Sequence, residues 1–138
     1  MSVFIDSGIF TAFHNAMDSN NGRAVELMRE IVSGGLGSAY TSDYIFDEAV
    51  TLALTRTRRP EIALSVGRMI LGEHTKPFLV VLRVKGEAFR EAWDLFPRYA
   101  ERGLSFTDCT SIALVRMRNV KSIISFDADF DGIIPRIS

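Results

Sequence analysis

The stretch Ser2-Val3-Phe4-Ile5-Asp6-Ser7-Gly8 decides how the rest of the chain is read. Val3, Phe4 and Ile5 are consecutive apolar residues, two of them β-branched, and a run without alternation is typical of a strand buried on both faces of a parallel sheet. The run ends on a carboxylate. Open α/β sheets bind ligands outside the carboxyl ends of their strands, so Asp6 stands where chemistry is expected, and Ser7-Gly8 lets the backbone turn directly into a helix. Glu48, Asp108 and Asp127 fall at comparable junctions further on.

Outward from that strand, a helix is expected over Ile9 to Met17, broken by Asp18-Ser19-Asn20-Asn21-Gly22. Ala24, Leu27, Met28 and Ile31 recur at helical spacing, and Ser33-Gly34-Gly35 supplies a stop. Ser38-Ala39-Tyr40 reads as a second strand. Thr41 or Ser42 caps a helix running to about Thr57, with Ile45, Ala49, Leu52 and Ala53 inward and Tyr44 and Glu48 on another face. Pro60 opens the next helix, which Gly72 ends, giving an antiparallel hairpin. Phe78 to Leu82 is expected as a third strand buried on both faces. Lys85 to Phe96 is amphipathic, with Ala88, Phe89, Ala92, Trp93 and Phe96 inward, and Arg98 to Gly103 a turn of helix and a loop. Cys109 to Met117 forms a helix closed by Asn119, Ser122 to Phe126 a fourth strand, and Ile133 to Ile137 a fifth at an edge, because of Pro135. That order predicts a three-layer α/β/α sandwich around a mostly parallel sheet of about five strands.

Composition narrows the function. The 138 residues, 47% of them apolar, are expected to form one domain over 1–138 that buries roughly 70% of its unfolded surface. No apolar run spans a bilayer and no secretory signal is recognisable, so a soluble cytoplasmic protein without membrane partners is expected. With one cysteine, Cys109, and two histidines, His14 and His74, a thiolate or imidazole zinc cluster is excluded, and any metal must be held by oxygen. A net charge of −1 argues against coating nucleic acid through bulk positive field. Arg56, Arg58 and Arg59 cluster, as do Arg116, Arg118 and Lys121, and as do Asp127, Asp129 and Asp131; each run also fits a solvated face.

Asp6 and Asp127 both come directly after strands that read as central, and overhang one crevice if those strands are neighbours. Each could instead simply cap the helix or turn beyond it. Ser105-x-x-Asp108 fits a capping box, which does not preclude chemistry at the same helix end. Glu48 taken alone is an ordinary solvated glutamate. Taken together, two carboxylates about 4 Å apart repel by about 4 kcal/mol at an effective surface dielectric, so a cluster of four needs arginines or a hard cation. Mg²⁺ or Mn²⁺ accepts such oxygen ligands and leaves room for a substrate phosphate.

Val3-Phe4-Ile5-Asp6-Ser7, Glu48 in the third helix, Leu104-Ser105-Phe106-Thr107-Asp108 and Ile124-Ser125-Phe126-Asp127-Ala128-Asp129-Phe130, in that order, resemble the PIN domain over nearly the whole chain. The resemblance implies a Mg²⁺- or Mn²⁺-dependent ribonuclease. Short prokaryotic members are mostly toxins of VapBC toxin–antitoxin pairs, so RNA is the expected substrate and an antitoxin an expected partner. Carried over by motif, Asp6, Glu48, Asp108 and Asp127 are the metal-binding acids and Ser7 and Ser125 polar helpers. Asp129 and Asp131 exceed the minimal pattern and are further candidates, while His14 and His74 match no motif and are expected at surface or capping positions. A haloacid dehalogenase phosphatase resembles Asp-x-Asp at the first strand, where this chain has Gly8. A receiver domain needs an aspartate after the third strand, which Leu82-Arg83-Val84 lacks. Gly34-Gly35-Leu36-Gly37 lacks the Lys-Ser/Thr of a P-loop. The alternatives kept are a non-catalytic PIN-like binding or assembly module and a housekeeping RNA-processing nuclease. Homodimerisation is expected through the hairpin of Arg56 to Leu71, where Leu64 exceeds one buried stripe.

Overall fold

Val3, Phe4 and Ile5 are completely buried, in the central strand of a five-stranded sheet. The computed structural model describes residues 1–138. The elements are β1 (Ser2–Ile5), α1 (Ser7–Phe13), α2 (Asn21–Val32), β2 (Ser38–Ser42), α3 (Asp43–Thr57), α4 (Pro60–Leu71), β3 (Val80–Leu82), α5 (Gly86–Ala100), α6 (Phe106–Met117), β4 (Ser122–Ile124) and β5 (Arg136–Ile137). The strand order is β3-β2-β1-β4-β5 and all four pairings are parallel. Helices cover both faces, giving the expected three-layer α/β/α sandwich.

Because β1 lies between β2 and β4, the chain changes direction across the sheet at β1, which opens a crevice beyond the ends of β1 and β4. The register pairs Ile5 with Ile124, and the Asp6 N–H continues the ladder to the Ile124 carbonyl at 3.0 Å. The residues immediately after Ile5 and Ile124 are therefore side by side. Truncating Phe4, fully buried in this strand, would cost about 3–5 kcal/mol through lost burial and the cavity left behind.

Helix ends obey the sequence closely. Ser42 accepts the Ile45 N–H at 3.1 Å to cap α3, and Ser105 and Asp108 form the capping box of α6. Pro60 occupies the first turn of α4 and Gly72 ends it in the left-handed region. A Cβ on Gly72 would stand 2.7 Å from the Pro77 ring, so both backbone and space demand glycine there. Asn119 is left-handed, as expected after α6.

Several expectations are corrected. Helix α1 stops at Phe13 rather than Met17, because the Asn21 amide donates to the carbonyls of Ala12 and Phe13 and satisfies the helix end. The third strand is only Val80–Leu82, with Val80 54% exposed, so it is a sheet edge and not buried on both faces. Helix α5 runs through Pro97 to Ala100, anchored by buried Tyr99, where a turn and loop were expected. Phe89 and Trp93 are exposed rather than inward, and join Phe96, Phe106 and Tyr44 in an aromatic cluster on the surface. Helix α6 begins at Phe106, three residues before the expected start, because its capping box lies at Ser105. The last strand keeps only Arg136 and Ile137, although it is at an edge as Pro135 required.

Candidate active site

Asp6 caps α1, its Oδ1 accepting the Ser7 N–H at 2.9 Å. Its other oxygen accepts the Ser125 hydroxyl at 2.6 Å, and Ser125 Oγ in turn accepts the Asp127 N–H at 3.0 Å. One fully buried serine thus ties the loop after β4 to the acid after β1. The Ser7 hydroxyl donates to Glu48 on α3 in a short hydrogen bond. Asp108, in the first turn of α6, accepts the Ser105 N–H at 2.8 Å.

Asp6, Glu48, Asp108 and Asp127 all line one open pocket of about 390 Å³ at the carboxyl edge of the sheet. Ser7, Gly8, Ala12, Ser105 and Phe126 complete its inner wall, and His14 and His74 take no part in it. His14 terminates α1, its Nδ1 on the Phe10 carbonyl at 2.9 Å, and burial lowers its pKa. His74 is exposed. The loop acids separate into different roles. Asp127 faces the pocket, while Asp131 lies outside it and pairs with Arg136 through two contacts of 2.7 and 3.1 Å. Asp129 is exposed and also outside the lining, its carbonyl accepting from Arg102 at 2.8 Å. Neither Asp129 nor Asp131 is among the residues that line the pocket with the other four acids.

The pocket acids oppose one another. Burial pushes the Asp6 carboxyl up to about 7, against the lowering effect of the Ser125 hydrogen bond, with the charges of Asp108 and Glu48 adding to the rise. Asp108 is raised mainly by burial and also by Glu48 and Asp127, while Ser105 holds it down. None of the four pairs with lysine or arginine. The donor set, entirely carboxylate and hydroxyl, fits a hard divalent cation. No three metal-ligating side chains are already gathered to hold one ion, so closing on a cation requires side-chain movement.

Four further residues line the pocket that sequence reasoning did not place there: Asp18 and Asn20 from the α1–α2 loop, Arg56, and Leu52, which was expected in the inward stripe of α3. Asp18 and Asn20 read only as helix breakers. Arg56 carried a usable signal, because Glu48, Leu52 and Arg56 are spaced four apart and all three face the pocket.

The PIN domain family model matches residues 3–133. The 23S rRNA-specific endonuclease VapC20 of Mycobacterium tuberculosis is 28% identical over 131 residues, covering 94% of this chain and 92% of the relative. A VapC ribonuclease of Archaeoglobus fulgidus is also 28% identical over 131 residues, 94% of this chain and 80% of the relative. Among solved structures, Mycobacterium tuberculosis VapC20, a sarcin-ricin loop cleaving toxin, has a TM-score of 0.80 at 27% identity, covering 94% of this chain and 93% of that one. FitAcB from Neisseria gonorrhoeae, with a TM-score of 0.69 at 13% identity over 99% of this chain and 96% of that one, shares the fold. With that match along almost its whole length, and with four acids around the crevice beside β1, the chain belongs to the PIN domain family.

Proposed function

We propose that this protein is a Mg²⁺- or Mn²⁺-dependent endoribonuclease and the toxin of a VapBC-type toxin–antitoxin pair. The observation that carries the reading is the gathering of Asp6, Glu48, Asp108 and Asp127 around one pocket without a protein cation bonded to any of them. Asp6, Asp108 and Asp127 would hold one divalent ion and Glu48 would complete that site or a second one. Such an ion supplies Lewis-acid stabilisation of charge on the phosphate and makes water a better nucleophile at neutral pH.

The chain's own residues prepare the site. Ser125 fixes Asp6 and, through the Asp127 amide, the loop that presents Asp127. Ser7 orients Glu48, and Ser105 holds Asp108 while capping α6. Supporting bonds of this kind set ligand orientation and are worth about 10- to 100-fold in metal affinity or activity.

Digestion of defined RNAs with and without Mn²⁺ or Mg²⁺, mapping the ends produced, tests the reading. The specificity of the VapC20 relative makes 23S rRNA the first substrate to try. Metal-dependent internal cleavage lost in Asp6→Asn is the expected result; cleavage that survives both chelation and that substitution would refute it. A non-catalytic module would bind no Mn²⁺ and lose only stability on the same change. An antitoxin partner is part of the toxin reading, and a co-expressed protein that inhibits cleavage is its test. Homodimerisation through α3 and α4 is supported by Leu54, Leu64 and Leu71, which are 43%, 53% and 48% exposed. Sedimentation as a monomer at micromolar concentration would count against it.

A further inference from the structure

Three arginines close together in sequence have three different fates. Arg58 is the left-handed cap that ends α3. Arg59 is bonded to Glu61 at 2.7 Å. Arg56 has neither role: it is exposed, its side chain makes no hydrogen bond or ion pair with the protein, and it lines the pocket. It is the one cation in a lining that contains five acids, Asp6, Asp18, Glu48, Asp108 and Asp127.

An RNA strand brings a negative phosphate at every nucleotide, and a pocket lined by carboxylates repels all of them except where a cation stands. Arg56 is eight residues beyond Glu48, so at 1.5 Å rise per residue its backbone lies about 12 Å further along α3. That is too far along the helix for it to be drawn onto Glu48, and it leaves an exposed guanidinium on the pocket lining. A guanidinium offers a planar fork of donors suited to two phosphate oxygens at once.

Building on the nuclease reading, we propose that Arg56 binds a backbone phosphate of the RNA strand at a nucleotide flanking the bond that is cut, and so sets how the strand enters the pocket. The contact is to phosphate and not to a base, so it positions the strand and carries no sequence preference.

The test uses the full chain carrying Asp108→Asn, so that bound RNA is not cut, and a fluorescently labelled single-stranded RNA whose anisotropy is measured across a salt series. Adding Arg56→Gln should weaken binding about tenfold, the size of one lost charged hydrogen-bonding contact. It should also reduce the slope of log affinity against log salt by about 0.7, the release expected for one single-strand phosphate contact. Arg56→Lys should keep the slope and recover only part of the affinity. Arg58→Gln and Arg59→Gln remove the same charge a turn away and should change binding less than twofold. An equal loss in all three glutamine variants would overturn the proposal in favour of a diffuse charge effect. Unchanged RNA affinity in Arg56→Gln would overturn it too, as would no measurable RNA binding by the Asp108→Asn protein itself. Digestion by the protein with Arg56 and Asp108 intact separates the two ideas: absence of cleavage alongside an Arg56-specific salt slope would sink the nuclease reading and leave the phosphate contact standing.

Discussion

Two groups of acids lie within one loop's length of each other and behave oppositely. In the outer group, Asp131 is paired with Arg136, which holds its carboxyl below the usual range, and Arg102 secures the carbonyls of Asp129 and Asp131. In the inner group, Asp6 and Asp108 are pushed upward by burial and by neighbouring carboxylates, and only neutral donors hold them. The Asp131 carboxylate is compensated within the fold. The inner acids form no ion pair with a lysine or arginine, and that difference separates a structural charge cluster from the proposed cation site.

The largest expected effect is on cleavage. Asp6→Asn or Asp108→Asn should lower RNA cleavage by about 10³-fold or more, since each removes part of a cation's hold and with it several kcal/mol of transition-state stabilisation. An unaltered circular dichroism spectrum should show the fold intact. Asp131→Asn, on the outer group, should leave cleavage within about twofold and so draws the sharpest line between the groups. Equal losses in both would erase the distinction.

Next in size is Ser125→Ala, which frees Asp6 and unties the Asp127 loop. It should weaken Mn²⁺ binding about 10- to 100-fold, read by calorimetry. Mn²⁺ at about 100 times its dissociation constant should stabilise the native protein by about 2.7 kcal/mol, visible as a higher Tm, and Asp6→Asn should lose most of that gain.

The smallest effect is on pH. Asp6 rises from 3.8 to about 7 on folding, so in chelator its contribution to stability is fully present below about pH 4 and is lost as pH rises through 7. Asp108 shifts in the same direction. Metal-free protein should therefore melt lower at pH 8 than at pH 6 through these groups, and Asp6→Asn should flatten that dependence. A steeper fall in the variant would mean that the inner acids are not mutually opposed.

Much of this is legible in the order of the residues. The unbroken apolar run before Asp6 and the shorter Ile123-Ile124 pair identify central strands, and their register sets Asp6 beside Ser125, two residues before Asp127. Capping chemistry at Ser42 and Ser105 marks two helix starts. The errors have a common physical source, because apolar character marks which side chains are eligible for burial but not which receive it. Phe78 to Leu82 is continuous and apolar, yet its place at the sheet edge leaves Val80 exposed. Phe89 and Trp93 have helical spacing, but no element covers them. Arg56 escaped because a charge run was weighed as a unit, when its three members play three different parts at the helix end.

The pairing of Asp6 with Ser125 joins positions 119 residues apart, and β1 cannot gain its neighbour β4 until residues 122–124 exist. During synthesis the nascent chain therefore carries an acid without a pocket for most of its length. Competence of the proposed ribonuclease thus depends on a segment made more than a hundred residues after the acid it completes.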